Sequence, residues 1–273
     1  MARKKKQEGE EAEMSFWGHL EELRWHLVRS ITAIIVLAII AFLNRRVLFD
    51  LIILAPSTSD FIANRLFCWM AEKLSMSGLC MDSLRLQIIN INLPGQFTMH
   101  LFISLVTGAI LAFPFIINEV WRFIRPALHK NETKNSRRFI LSSSILFFVG
   151  VLFSYFLIVP LTINFLGTYQ VSEIVKNQIS INSYVNTVVS VTFAVGLVFE
   201  LPLIIYFLTK LGLVTPDFLK KNRKYMVVIL LIVSAIITPP DVFSQILVCI
   251  PLLGLYEISI LISERIYKKE QNT

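Results

Sequence analysis

Six long apolar stretches alternate with polar segments along this chain: Leu27–Leu43, Phe97–Ile117, Phe139–Leu161, Val185–Leu208, Tyr225–Ile237 and Val242–Ile262. Most have the about 17–25 residues that carry a helix across a hydrocarbon core about 30 Å thick. Inside such a core the backbone has no water to bond, so an open chain must be helical. The pattern predicts an all-α polytopic membrane protein with six transmembrane helices. The fifth stretch has only thirteen residues, about 20 Å of helix. It predicts a locally thinned bilayer, or flanking residues drawn into the interface.

The segments between the stretches carry their own patterns. Phe16, Leu20, Leu23 and Leu27 recur at helical spacing, and Trp17 and Trp25 suit the membrane interface. An amphipathic interfacial helix is expected there, running on into the first span. In the first loop, Phe61, Ile62, Leu66, Trp69, Met70 and Leu74 form one apolar helix face, and Pro56-Ser-Thr-Ser-Asp60 reads as the start of that helix. Leu84, Leu86 and Ile88 alternate as an extended stretch would. Residues 44–96 are expected to cap the outer mouth of the bundle. Thr238-Pro-Pro-Asp241 reads as a tight turn in which Thr238 and Asp241 cap the sixth helix. Residues 1–13 are charged and aperiodic, which predicts a disordered arm. One membrane domain over 14–265 and a short tail over 266–273 remain. No internal repeat is apparent, against the inverted-repeat transporters.

Composition sharpens the class. Hydrophobic residues make up 55% and charged residues 16%, against about 25% charged in soluble domains. Mean hydropathy is +0.66. The net charge of +7 is a topology signal, not a nucleic-acid signal. Twenty of the 26 Lys and Arg fall in the N-terminal arm, the second and fourth loops and the C-terminal tail; the alternate loops hold Arg45, Arg46, Arg65, Lys73, Arg85 and Lys176. The positive-inside rule then places both termini in the cytoplasm. The run Lys4–Lys6 ahead of an apolar segment resembles a signal peptide, but Glu21, Glu22 and Arg24 intervene and no small-residue cleavage site follows Leu43. The segment reads as a retained span. Three cysteines are too few for a metal cluster, and no metal or cofactor is expected. Cys68 and Cys80 share the first outer loop. A disulfide is allowed there if the compartment is oxidising, but spacing alone does not distinguish it from two free thiols. Cys249 reads as a small packing residue.

A few polar residues stand out. Glu22 lies at the start of a helix, where the macrodipole favours an acid on purely structural grounds; His19 and His26 flank it. Glu132 is the only acid between Glu119 and Glu173, in a loop with six cations, where it also serves charge balance. Together, Glu22 and Glu132 make two acidic points on a basic face, and two carboxylates match two adjacent arginines on a partner. Glu200 differs. The run Val195-Gly-Leu-Val-Phe-Glu200-Leu-Pro202 puts an acid near mid-span, beside a helix-breaking proline and a close-packing glycine. An acid at that depth costs about 2.5 kcal/mol or more and defaults to a functional reading. Gln245 is a second polar group at membrane depth, of a type that often just ties helices together.

These residues resemble a known family. His19-Leu-Glu-Glu-Leu-Arg24, Phe123-Ile-Arg-Pro126-Ala-Leu, Glu132, Phe199-Glu-Leu-Pro202 and Thr238-Pro-Pro-Asp241-Val-Phe-Ser-Gln245 occur in the order and on the spans or loops of TatC, the C subunit of the twin-arginine protein translocase. The resemblance covers nearly all of the chain after residue 14. It implies a concave, glove-like bundle with a periplasmic cap in the bacterial inner membrane. Such a bundle recognises twin-arginine signal peptides of folded proteins and works with single-span TatA/TatB-type subunits. Self-association and export driven by the proton-motive force, without nucleotide hydrolysis, are further implications. By motif position, Glu22, Glu132, Arg24, Phe123 and Pro126 are the signal-peptide residues. Glu200 contacts partner helices, with Gln245 beside it in that role, and Pro56 and Asp241 are functional positions on the outer side. His26 stands where a second strong base often follows the arginine, and the first outer loop, with its two cysteines, is long for the family.

The rival from another class is a proton-coupled secondary transporter using Glu200 as its proton site. It should gather several polar residues at the midplane, and the spans offer one acid and little else. A membrane enzyme lacks any HExxH, GxSxG or paired His and Asp within the spans.

Overall fold

The computed structural model of the chain describes residues 16–58, 60–74, 87–124, 136–172, 174, 177–238 and 242–271. The expected disordered arm lies outside them, as do Cys80, Pro126, Glu132 and Asp241. The interfacial helix and the first apolar stretch form one helix, α1 (Phe16–Leu43). α3 (Gly95–Ile124) runs back beside it. The third span is α4 (Ser136–Phe153), a wide π-type turn over Ser154–Ile158, and α5 (Val159–Thr168). The fourth is α6 (Ile181–Val198) followed by α7 (Leu201–Lys210). A short α8 (Pro216–Lys221) leads into α9 (Arg223–Ile237), and α10 (Val242–Gln271) closes the bundle.

Among the described residues, five helical segments are long and apolar enough to cross a membrane: Leu20–Leu43, Gly95–Ile124, Arg137–Thr168, Ile181–Lys210 and Gln245–Lys268. The fifth apolar stretch, α9, has 15 residues, about 22 Å. It is short, as its sequence predicts. Most observed helices overrun their apolar stretches, because polar and amphipathic residues continue the hydrogen-bonded ladder past the membrane edge. Chain direction gives the bundle two ends. The basic end carries the start of α1, the end of α3 and the α7–α9 connection. The cap end carries the segment between α1 and α3.

Helix ends follow local chemistry. Ser180 accepts from the Ser183 N–H at 3.2 Å to start α6, and Thr215 accepts from Phe218 N–H ahead of Pro216 to start α8. α7 ends on Gly212, whose φ of 69° lets Leu213 N–H reach back to the Leu208 carbonyl at 2.9 Å. Within the fourth span, Pro202 has no N–H to give Val198. The ladder tightens to a three-residue step, Glu200 N–H to Leu197 O at 3.1 Å, and α7 restarts from the Glu200 carbonyl.

The cap begins with a π-type turn over Val47–Ile53 and a 3₁₀ turn over Ala55–Ser57, then α2 (Ile62–Leu74). Pro56 therefore lies in the 3₁₀ turn, and the helix starts later than the Pro56–Asp60 run predicts. The Pro56 carbonyl accepts from Asn64 Nδ2 at 3.2 Å, and the Thr58 carbonyl accepts from the same amide at 2.7 Å. Asn64 is buried. The carbonyls of Ile52 and Ile53, left over at the end of the wide turn, accept from Tyr155 Oη at 2.7 Å and Tyr184 Oη at 2.8 Å. Of the predicted extended stretch, Leu84 and Leu86 lie outside the described residues, and Ile88 falls in β1 (Ile88–Ile89), paired in parallel with β2 (Ile179–Ser180), Ile88 opposite Ile179. The cap is thus tied to the third and fourth spans. Beneath it, an apolar hollow of about 710 Å³ opens between Phe61, Val106, Ile110, Phe148, Val151 and Thr192. That hollow supplies the concavity.

Small residues set the helix spacing. A Cβ on Gly108 of α3 would stand 2.7 Å from both Ala38 N and Ile34 O of α1. A Cβ on Gly150 would stand 2.7 Å from the Phe199 side chain and 3.1 Å from Gly196 Cα, so α4 and α6 also touch closely. Gly108→Val should therefore lower the unfolding temperature of the detergent-purified protein, by the equivalent of about 1–3 kcal/mol for an overpacked contact. Gly254→Ala, whose Cβ meets nothing within 4 Å, should cause no drop. Differential scanning fluorimetry of the pair distinguishes a packing glycine from an ordinary one.

Candidate functional site

Glu22, His26 and Arg29 lie on one face of α1, where it meets α3 at the basic end. Across from them α3 presents Glu119, Arg122 and Phe123. Glu119 is only 1% exposed, and an unpaired carboxylate there would be unsustainable. His26 Nδ1 donates to its Oε2 at 2.7 Å, Arg122 Nη1 donates to its Oε1 at 3.2 Å, and Arg29 Nη1 lies 3.7 Å from Oε2. The other ring nitrogen of His26 is 4.0 Å from Glu22 Oε1. The imidazole lies between two carboxylates, bonded to the buried one and near the half-exposed one, and its ring meets the edge of Phe123 with centroids 6.2 Å apart. A protonated imidazole offers a donor to each side.

Three of the five expected signal-peptide residues are described. Glu22 and Phe123 come together around His26. Arg24 does not join them: it pairs with Glu21 at 2.7 Å and lies over the Trp25 ring, both of its pairing partners well exposed. Pro126 and Glu132 lie outside the described residues. Sequence reasoning passed over Glu119. Its only local signal is Arg122 one helical turn on; the pairing with His26 spans 93 residues and is visible only across two helices.

Glu200 occupies the joint between α6 and α7 and is 6% exposed. Ser143 Oγ of α4 donates to its Oε2 at 2.9 Å. Its Oε1 is buried without a hydrogen-bond partner among the described residues, which costs about 1–3 kcal/mol. The joint thus holds a buried acceptor still open to one donor. Gln245 spends no time alone: its Nε2 donates to the Leu231 carbonyl of α9 at 3.1 Å. Thr238 donates back to Ser234 O at 2.8 Å and so closes α9; Asp241, its expected companion in capping α10, lies outside the described residues. Cys68 is disulfide-bonded and Cys249 is free; Cys80 lies outside the described residues.

A bundle of spanning helices whose buried acids sit at helix–helix joints defines a multi-pass helical membrane protein. The family profile described as "Sec-independent protein translocase protein (TatC)" matches residues 18–251. A Sec-independent protein translocase protein TatC of Blattabacterium sp. subsp. Periplaneta americana is 41% identical over 96% of this chain and 99% of its own length. TatCy of Bacillus subtilis is 33% identical over 96% and 93%. A crystal structure of the twin-arginine translocase receptor TatC superposes with a TM-score of 0.64 at 34% identity, covering 90% of this chain and 98% of that one. The chain belongs to the TatC family. It is a membrane-embedded component of a protein translocase.

The His26–Glu119 contact makes a measurable claim. In a double-mutant cycle of His26→Gln and Glu119→Gln, thermal unfolding should report a favourable coupling of about 1–3 kcal/mol, as for partners in one buried network. Additive effects would show that the two side chains stabilise α1 and α3 separately.

Proposed function

We propose that the basic end of this bundle is the receptor site for twin-arginine signal peptides of folded proteins. The observation that carries this reading is Glu22, half-exposed on a basic face, held beside Phe123 over the buried Glu119. Each carboxylate takes one guanidinium bidentately, so Glu22 with Glu132 suits an arginine pair and not a lysine pair. Glu132 and Pro126 follow α3 directly from the end that carries Phe123, which supports their joining the same site. The apolar Phe123 ring suits the side chains that flank such a pair. Arg24, turned toward Glu21, contributes through the local field rather than by direct contact.

The chain lies in the bacterial inner membrane with both termini cytoplasmic, as its loop charges favour. It is not an enzyme. It self-associates and joins single-span TatA/TatB-type subunits, and the proton-motive force drives transport. Glu200 is the contact for a partner helix: its open Oε1 awaits one donor, and its burial requires that a partner reach into the α4–α6 joint. Gln245 contributes to the same surface through the α9–α10 pairing. Pro56 acts by shaping the cap, and Asp241 by its place between α9 and α10. Among the described residues Glu200 bonds Ser143 and no second acid, which does not favour a proton-coupled transporter.

Photo-crosslinking from positions next to Glu22 and Glu132 to a twin-arginine peptide should be strong, and should fade when lysines replace the arginines. Glu22→Ala with Glu132→Ala should reduce it at least tenfold. Equal crosslinking of both peptides would remove the receptor assignment. Separately, Glu200→Ala should weaken co-purification of single-span partners while leaving membrane insertion intact. Normal assembly and export by that variant would end its role in partner contact.

A further inference from the structure

At the cap end, a cavity of about 580 Å³ lies between the end of α1, the wide turn, and the starts of α3 and α6. Its volume is that of an ordinary small-molecule site. Its polar lining is Arg45, Arg46, Asp50, Gln96 and His100. Arg45 and Arg46 are two of the six basic residues on the minority side of the charge distribution, where the positive-inside rule disfavours them. Neither guanidinium has an ion-pair partner among the described residues, although Asp50 lines the same cavity. Even counting that carboxylate, the lining is net positive.

His100 adds an independent observation. Its ring is stacked on Phe42, centroids 4.0 Å apart and planes within 12°, and meets the edge of Phe49 at 5.5 Å. The imidazole is therefore fixed in place. Its Nε2 is nevertheless buried without a hydrogen-bond partner among the described residues, and such an atom costs about 1–3 kcal/mol. Neighbouring side chains on the same two helices, Leu43, Phe97 and Leu101, are apolar and exposed. The result is a polar, cationic hole beside lipid-facing hydrocarbon, at the level where the first and second spans meet the headgroups.

We propose that this cavity binds the phosphate of an anionic phospholipid from the leaflet on the cap side. Two adjacent guanidinium groups grip phosphate oxygens in fork geometry, and basic pockets between spanning helices take anionic headgroups. Leu43, Phe97 and Leu101 receive the acyl chains. Arg45 and Arg46 stand outside the basic-end site, so this binding is independent of signal-peptide recognition.

The test is native mass spectrometry of the full chain, delipidated in a non-ionic detergent and titrated with phosphatidylglycerol, phosphatidylcholine or inorganic phosphate. Three proteins are compared: the unaltered chain, Arg45→Gln with Arg46→Gln, and Arg137→Gln with Arg138→Gln. The last removes an equally exposed arginine pair at the basic end and controls for general attraction. All the substituted side chains are exposed, and thermal unfolding confirms that each variant folds. The expected result is one phosphatidylglycerol held at least tenfold tighter than phosphatidylcholine, lost tenfold in the Arg45/Arg46 variant and retained in the Arg137/Arg138 variant. If millimolar inorganic phosphate displaces the lipid, the site reads the phosphate itself and a free anion is a second source. If phosphate does not, the lipid is the ligand. Equal loss in both double variants, no loss in either, or equal binding of phosphatidylcholine would overturn the proposal.

Discussion

In hydrocarbon no backbone polar group can be left to water, and this constraint shapes the bundle wherever a helix departs from regularity. At the cap, the carbonyls of Ile52 and Ile53 are taken up by Tyr155 and Tyr184. At the end of α9, Thr238 bonds back to Ser234, and Gln245 of α10 bonds the Leu231 carbonyl. Tyr155, Tyr184 and Gln245 each come from a different helical element than the carbonyl they bond, so those three bonds also fasten two elements together. The cap, the hollow beneath it and the α9–α10 hairpin are held by this means as much as by apolar packing.

Charge obeys the same constraint more severely. Glu119 survives at 1% exposure because His26, Arg29 and Arg122, from two helices, surround it. Arg29 and Arg122 are more than half exposed and can turn to water, whereas His26 is 11% exposed and cannot. The short contact therefore falls on the histidine, and its second nitrogen faces Glu22. A buried pair that does structural work for α1 and α3 thereby also sets the surroundings of an exposed acid. Farther along, Tyr256 bonds the Leu219 carbonyl at 2.8 Å and Thr209 meets Ser263 at 2.9 Å, so α10 is keyed to the α7–α8 region by neutral groups. Arg223–Glu257 and Lys220–Glu264 add solvent-facing pairs at the basic end, where water screens them and they stabilise little.

Glu200 is the exception. One oxygen is satisfied by Ser143 and the other is not. Elsewhere the bundle answers its buried acid with several donors; here it supplies one. The joint is nonetheless tightly packed, with Gly150 and Gly196 letting α4 and α6 approach within contact of Phe199. A polar group left partly open at a close-packed joint subtracts from stability rather than adding to it.

Much of this was legible in the chain. The apolar stretches, the brevity of the fifth and the break at Pro202 follow from residue-by-residue hydropathy and from proline's missing N–H, which are local properties. The motifs around Glu22, Phe123 and Glu200 carry the family for the same reason. Tertiary structure alone decided that Glu119 is buried and that His26, not Arg24, stands beside Glu22. It also decided that Pro56 lies in a 3₁₀ turn and that Arg45, Arg46 and His100 share one cavity. These outcomes depend on which faces of distant helices meet, and a helix pattern states that a face is apolar or charged without stating what it will touch.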